Sequence, residues 1–201
     1  MTRPYRGSAP EARHAERRAR LINAGVELVG TGGVAALTMR AVCRQAQLSQ
    51  KFFYESFTDT EDLLREVYRT TFQRTLAIVD AAATQATSHN SRIRASVDAA
   101  AKLVTDDPRV CRILLVEPVA NLGLRHFVRN TIAGMISFTV GPPDDSAQSK
   151  MHYATLFGAI ISLFLEWTEG NLGDDRTAFV DHVTATVLAS PLASAAAEPR
   201  P

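Results

Sequence analysis

The sequence predicts an all-α protein built as two helical domains. Three observations carry that prediction. Apolar residues recur at spacings of three and four through most of the 201 residues, the mark of helices that bury one stripe. Capping residues such as Thr38, Ser49 and Asp59 stand directly ahead of these runs, where a side-chain oxygen can satisfy a free backbone N–H. Glycine and proline gather between runs, as in Gly30-Thr31-Gly32-Gly33 and Gly141-Pro142-Pro143, and so punctuate them. The pattern divides the chain into an arm at 1–10, an N-terminal three-helix domain at 11–75, a C-terminal helical domain at 76–190 and a disordered tail at 191–201.

In chain order, residues 1–10 hold two prolines, a glycine and two arginines, Arg3 and Arg6, and read as a mobile basic arm. From Glu11 to Gly30 a helix is expected whose later half is buried through Leu21, Ile22, Val26 and Val29. Arg13, Arg17, Arg18 and Arg20 crowd its start as candidate phosphate partners. The glycines after it end the helix. They do not make a dinucleotide loop, because the third glycine is missing and no strand precedes them. Thr38 then caps a short helix with Met39, Val42, Cys43 and Ala46 on one stripe. Ala46 to Leu48 separate it from a second short helix, capped by Ser49, in which Phe53 and Phe57 share a core face with Leu64. Asp59 and Asp62 open a long helix that runs through Leu63, Leu64, Val67, Tyr68, Phe72, Leu76 and Val79 to about Ala83.

The second domain continues as helices from Ser91 to about Thr105, Arg109 to about Val116 and ending near Pro118, Leu122 to Val140, Ser149 to Glu169, and Asp174 to Ala189. A loop falls at 141–145. The last two helices are the most apolar, and the first of them exceeds a single amphipathic stripe. A second apolar face needs a second partner. The expected answer is a two-fold homodimer with Leu156, Phe157, Ile160, Phe164, Val180, Val183 and Val187 at its interface.

A 46% hydrophobic content suits a globular chain with a real core. The net charge of +1 conceals a split: residues 1–75 carry 12 Lys+Arg against 8 Asp+Glu, and residues 76–201 carry 10 against 13. A basic first part suits a reader of polyanions. Cys43 and Cys111 are far apart and lack partners at zinc-ligand spacing, so no disulfide framework, metal site or cofactor is expected. No apolar run reaches the length of a membrane span or follows the N-terminal charges as a signal peptide would, and a cytoplasmic location is expected. Neither a nucleophile elbow nor a pair of His four apart argues for an enzyme.

Two short helices joined by three residues form the pattern of a helix-turn-helix, whose second helix lies in a DNA major groove. Gly33-Val34, Leu37-Thr38-Met39, Val42-Cys43, Ala46-Gln47-Leu48-Ser49, Phe53-Tyr54, Phe57 and Asp59-Thr60-Glu61-Asp62-Leu63-Leu64 together resemble the DNA-binding domain of TetR-family transcriptional regulators. The match covers about a third of the chain. It departs from the family at three points. Gln47 stands where a glycine is usual and should pay a positive-φ cost of roughly 1–2 kcal/mol. Thr60 replaces a frequent phosphate-binding lysine. Glu55 places a negative charge in the recognition segment.

On this reading Gln50 and Lys51 read base edges, Phe52 meets a thymine methyl, and Tyr54, Ser49 and Ser56 complete the recognition segment. Thr38, Arg40 and Arg44 hold the backbone. The resemblance implies a homodimeric repressor on a palindromic double-stranded operator, released by a small molecule bound in the second domain. It also implies that the long helix conveys the change by tilting, with Leu63 and Leu64 as hinge contacts. The candidate pocket residues are Glu117, Asn121, His126, Arg129, His152, Tyr153, Glu166 and Trp167, and the aliphatic composition favours a hydrophobic ligand. Two alternatives remain open: a dimeric adaptor that no longer binds DNA, and a regulator that senses oxidation at Cys43 or Cys111.

Overall fold

The computed structural model describes residues 10–120 and 144–193. The arm before Pro10, the expected helix from Leu122 to Val140 and the last eight residues lie outside the described residues. Helices and helical turns are the only regular structure within them. The chain forms two compact units that divide between Arg69 and Thr70, inside one continuous helix.

In the first unit α1 spans Pro10–Gly32, with proline in the first turn, where its missing N–H is no loss. Gly33 turns the chain at φ 76° into a 3-10 turn at Val34–Ala36. Helix α2 is Met39–Ala46, and Thr38 Oγ1 accepts from the Ala41 N–H at 3.2 Å. Helix α3 is Gln50–Tyr54. Ser49 occupies the N-cap position of α3 in extended geometry, yet its side chain makes no cap bond, contrary to expectation. Helix α4, Thr60–Thr84, starts on Asp59 Oδ1, which accepts from the Asp62 N–H at 2.7 Å. Asp62 Oδ2 in turn accepts from the Thr58 N–H at 3.2 Å.

The core of this unit is Leu21, Val42, Phe53, Leu63, Val67 and Tyr68, all fully enclosed. Phe53 and Phe57 are buried as the spacing predicts, while Met39 is only half-buried and Ala41 takes its place inside. Gly25 lets α1 approach α4: a Cβ there would lie 2.5 Å from Val67 Cγ2.

The second unit joins the later part of α4 to α5 (His89–Asp106), α6 (Pro108–Cys111), a π-helical turn (Arg112–Val116), α7 (Glu117–Ala120), α8 (Ala147–Thr168) and α9 (Arg176–Leu188). Helix α5 begins earlier than its apolar period suggests, because Ser88 and Ser91 form a reciprocal capping box that satisfies two terminal N–H groups at once. Pro118 does not end the helical path. A proline removes one i→i−4 bond and crowds the carbonyl behind it, and the turn just ahead of Pro118 is widened, with the Glu117 N–H bonded to Arg112 O.

Two expectations are corrected here. Leu156, Phe164, Val180, Val183 and Val187 are buried within the subunit itself, with Phe179 stacked on Trp167 at 4.3 Å, so these five are core. Only Phe157 and Ile160 of the expected interface set remain half-exposed. The periodicity located an apolar stripe correctly but could not say which neighbour it meets. The second correction concerns Pro191 to Ala193, assigned to the tail. They are helical, and Leu192 and Ala193 are buried.

Candidate functional site

The recognition segment is assembled from the turn outward. Gln47 adopts φ 53°, ψ 46°, the left-handed conformation expected of it. The Leu48 N–H reaches Cys43 O at 3.0 Å and the Gln47 N–H reaches Arg44 O at 3.2 Å. This paired closure normally recruits glycine. Arg20, expected at a phosphate, instead donates to the Ala46 carbonyl at 2.6 Å, placing a cation at the negative end of α2.

Helix α3 then displays Gln50, Lys51 and Tyr54 to solvent, Tyr54 with 61% of its surface exposed. Thr38, Arg40, Arg44 and Ser49 are exposed as well, and Arg40, Arg44 and Lys51 take part in no ion pair among the described residues. Phe52 is half-buried. Ser56 departs from expectation: its Oγ is buried without a hydrogen-bond partner among the described residues. Thr60 lies half-buried in the first turn of α4.

The arginines at the start of α1 are largely committed within the domain. Arg18 donates to Glu66 Oε1 at 2.9 Å and lies 5.0 Å from the centre of the Phe57 ring. Arg17 lies 3.7 Å from Glu55 Oε2 and 4.5 Å above the Phe52 ring, so the charge of Glu55 is opposed locally. Arg13 is exposed. Glu66 also accepts from Arg69 Nε at 2.9 Å. The bond from Arg69, then Arg18, outweighs the cost of burial and holds the Glu66 carboxyl at about 2, below its ordinary 4.5. Sequence spacing hid these roles, because partners 35 to 48 positions away are set only by the fold.

The second unit holds a cavity of about 120 Å³ walled by aliphatic side chains. Its lining includes Val79 from α4, Val97, Ala100 and Val104 from α5, Leu114 from the π turn, and Ile160 and Ile161 from α8. Thr75, Ser96 and Cys111 bring its few polar atoms, and Thr75 Oγ1 donates to Thr71 O at 3.0 Å.

None of the expected pocket residues that fall among the described ones lines this cavity. Glu117 accepts from Arg112 Nε at 3.2 Å, and Glu166 is exposed and bonded by Asn171 at 2.8 Å. Trp167 is stacked in the core, while His152 and Tyr153 are half-buried. Asn121, His126 and Arg129 lie outside the described residues. The walls of this cavity are apolar, whereas the residues expected at a pocket are mostly polar. The usable signal was the small Ala100 on the buried stripe of α5, which leaves room.

Both thiols are buried, and burial pushes each above its ordinary value. Thr168 Oγ1 spends its one proton on Phe164 O at 2.9 Å, which leaves the Cys111 thiol, 3.3 Å away, as the donor between them. Such thiols are poor nucleophiles.

Residues 21–67 match the family model described as bacterial regulatory proteins, tetR family. No curated protein sequence matches the chain. Among solved structures, the fatty acid degradation regulator FadR of Bacillus halodurans superposes with a TM-score of 0.70 at 16% identity, covering 92% of this chain and 97% of that one. The transcriptional regulator FadR of Bacillus subtilis, solved in complex with stearoyl-CoA, gives 0.68 at 15% identity over 85% and 97%. A TetR-like regulator from Rhodococcus sp. RHA1 gives 0.65 at 15% over 86% and 94%. Residues 21–67 thus match the tetR family of bacterial regulatory proteins in sequence, and the chain shares the fold of TetR-like regulators over most of its length.

Proposed function

We propose that this protein is a homodimeric repressor that reads a palindromic operator through α3 and leaves it when an aliphatic molecule enters the cavity of the second unit. The observation that carries the DNA reading is the exposure of Gln50, Lys51 and Tyr54 on the second helix of a helix-turn-helix. Gln50 pairs with an adenine edge and Lys51 with guanine or a phosphate. Arg40, Arg44 and Thr38 hold the backbone. Selection of duplexes from a random library tests this directly, run beside a Gln50→Ala/Lys51→Ala variant at one salt concentration. An enriched palindrome with half-sites about one helical turn, roughly 34–36 Å, apart, lost in the variant, is the expected result. No enrichment sinks the reading and favours the adaptor.

An effector is supported by the nearly unbroken aliphatic lining, which suits a hydrocarbon chain. The stearoyl-CoA bound by the FadR relative of the same fold makes acyl compounds the first ligands to test, beginning with short chains that a cavity of about 120 Å³ can hold. Binding acts on DNA only through its differential affinity for two states. The dimer face proposed from the subunit is the outer side of α8 and α9: Met151, Ala154, Thr155, Gly158 and Ser162 on one, and Ala178, Ala185 and Ala189 on the other, all exposed and at helical spacing. The buried, raised thiols favour neither of the cysteines as an oxidation sensor.

A further inference from the structure

We propose that Arg17 is a positioning residue for sequence readout, holding the recognition helix through Phe52 and Glu55, and is not a phosphate ligand. The inference rests on the DNA-binding reading above. Helix α3 has five residues, far fewer than the roughly 12–15 at which an isolated helix becomes even marginal in water. Its orientation is therefore imposed by what packs on it. From below, Phe53 is buried against Phe57, with ring centres 5.9 Å apart. From the side the contacts come from α1. The Arg17 guanidinium sits 4.5 Å from the centre of the Phe52 ring, and its Nη2 lies 3.7 Å from Glu55 Oε2. One turn earlier on α1, His14 Nε2 lies 3.2 Å from the Glu55 carbonyl oxygen.

Phe52 and Glu55 are three apart and so share one side of the helix. A single guanidinium spans that side and opposes rotation of α3 about its own axis. Gln50 and Lys51 immediately precede Phe52, and bidentate contacts to base edges depend steeply on angle. A phosphate ligand is strongest with its charge uncompensated, whereas that of Arg17 faces a carboxylate 3.7 Å away. An ammonium could keep the charge but not stack its plane on the ring.

The two roles separate in one experiment. The operator selected by the wild type and a nonspecific duplex are titrated by fluorescence anisotropy over a salt series, with Arg17→Lys, Arg17→Ala and Glu55→Gln beside the wild type. Circular dichroism confirms that each variant is folded. Positioning predicts that all three variants lose roughly threefold to tenfold in the ratio of specific to nonspecific affinity, with the salt slope unchanged. A phosphate ligand predicts that Arg17→Ala weakens both duplexes equally and lowers the slope by about 0.9. It also predicts that Arg17→Lys stays near wild type and that Glu55→Gln binds both duplexes more tightly. That second pattern, or variants identical to wild type, overturns the inference alone. A wild type with no preferred duplex overturns the DNA reading as well.

Discussion

Gln47 is the one non-glycine at positive φ among the described residues, and its side chain is exposed. Replacing it by glycine removes a left-handed penalty of about 1–2 kcal/mol and adds about 0.5–1 kcal/mol of unfolded-state entropy. A gain of roughly 0.5–1 kcal/mol should appear as a higher thermal midpoint. Gly25→Ala should act oppositely. The added methyl meets Val67 Cγ2 on a core helix, and overpacking of this kind costs roughly 1–3 kcal/mol, measurable as a lower urea midpoint. Glu66 supplies a pH test. Its folded value of about 2 lies below the ordinary 4.5, so its contribution is complete above about pH 4.5 and is lost as pH falls toward 2. Arg18 and Arg69 are 36% and 48% exposed and screened by solvent, which limits that contribution to about 1 kcal/mol. The fall in urea midpoint between pH 6 and pH 3 should shrink in Glu66→Gln. The strain at Gln47 was legible in the sequence from its place in the turn. The Glu66 cluster was not, because Arg18 reaches it across 48 positions.

Among elements, caps and apolar periods made most helices readable, and the errors have local causes. A serine pair set the start of α5, and a widened turn carried the chain past Pro118. Periodicity assigns a residue to a stripe without naming the surface it meets. That is why Val180, Val183 and Val187 were read as interface and proved to be core. The proposed dimer face is tested at Gly158, where an added Cβ meets nothing within 4 Å in the subunit. In a lone helix Gly158→Ala should stabilise by about 0.5–1 kcal/mol. Gly158→Arg should leave the subunit folded and shift sedimentation from dimer to monomer. A dimer that survives this substitution would place the interface elsewhere.

At the scale of the whole molecule, the charge split and the helix-turn-helix spacing pointed to two units, while the cavity stayed hidden because its walls come from five separated segments. Ala100 lines it and is half-buried. Ala100→Phe should fill the space and abolish the rise in thermal midpoint given by an acyl ligand, a rise worth about 2.7 kcal/mol at a hundredfold excess over Kd. On the function proposed above, DNA affinity should persist, so the variant would stay bound to its operator when the ligand is added. The same cavity carries a mechanical consequence. Internal volume that disappears on unfolding makes the unfolded chain the smaller system, and hydrostatic pressure favours it. Compression should therefore unfold the second unit more readily than its thermal stability suggests, and either an aliphatic occupant or the phenyl ring at position 100 should make the protein harder to crush.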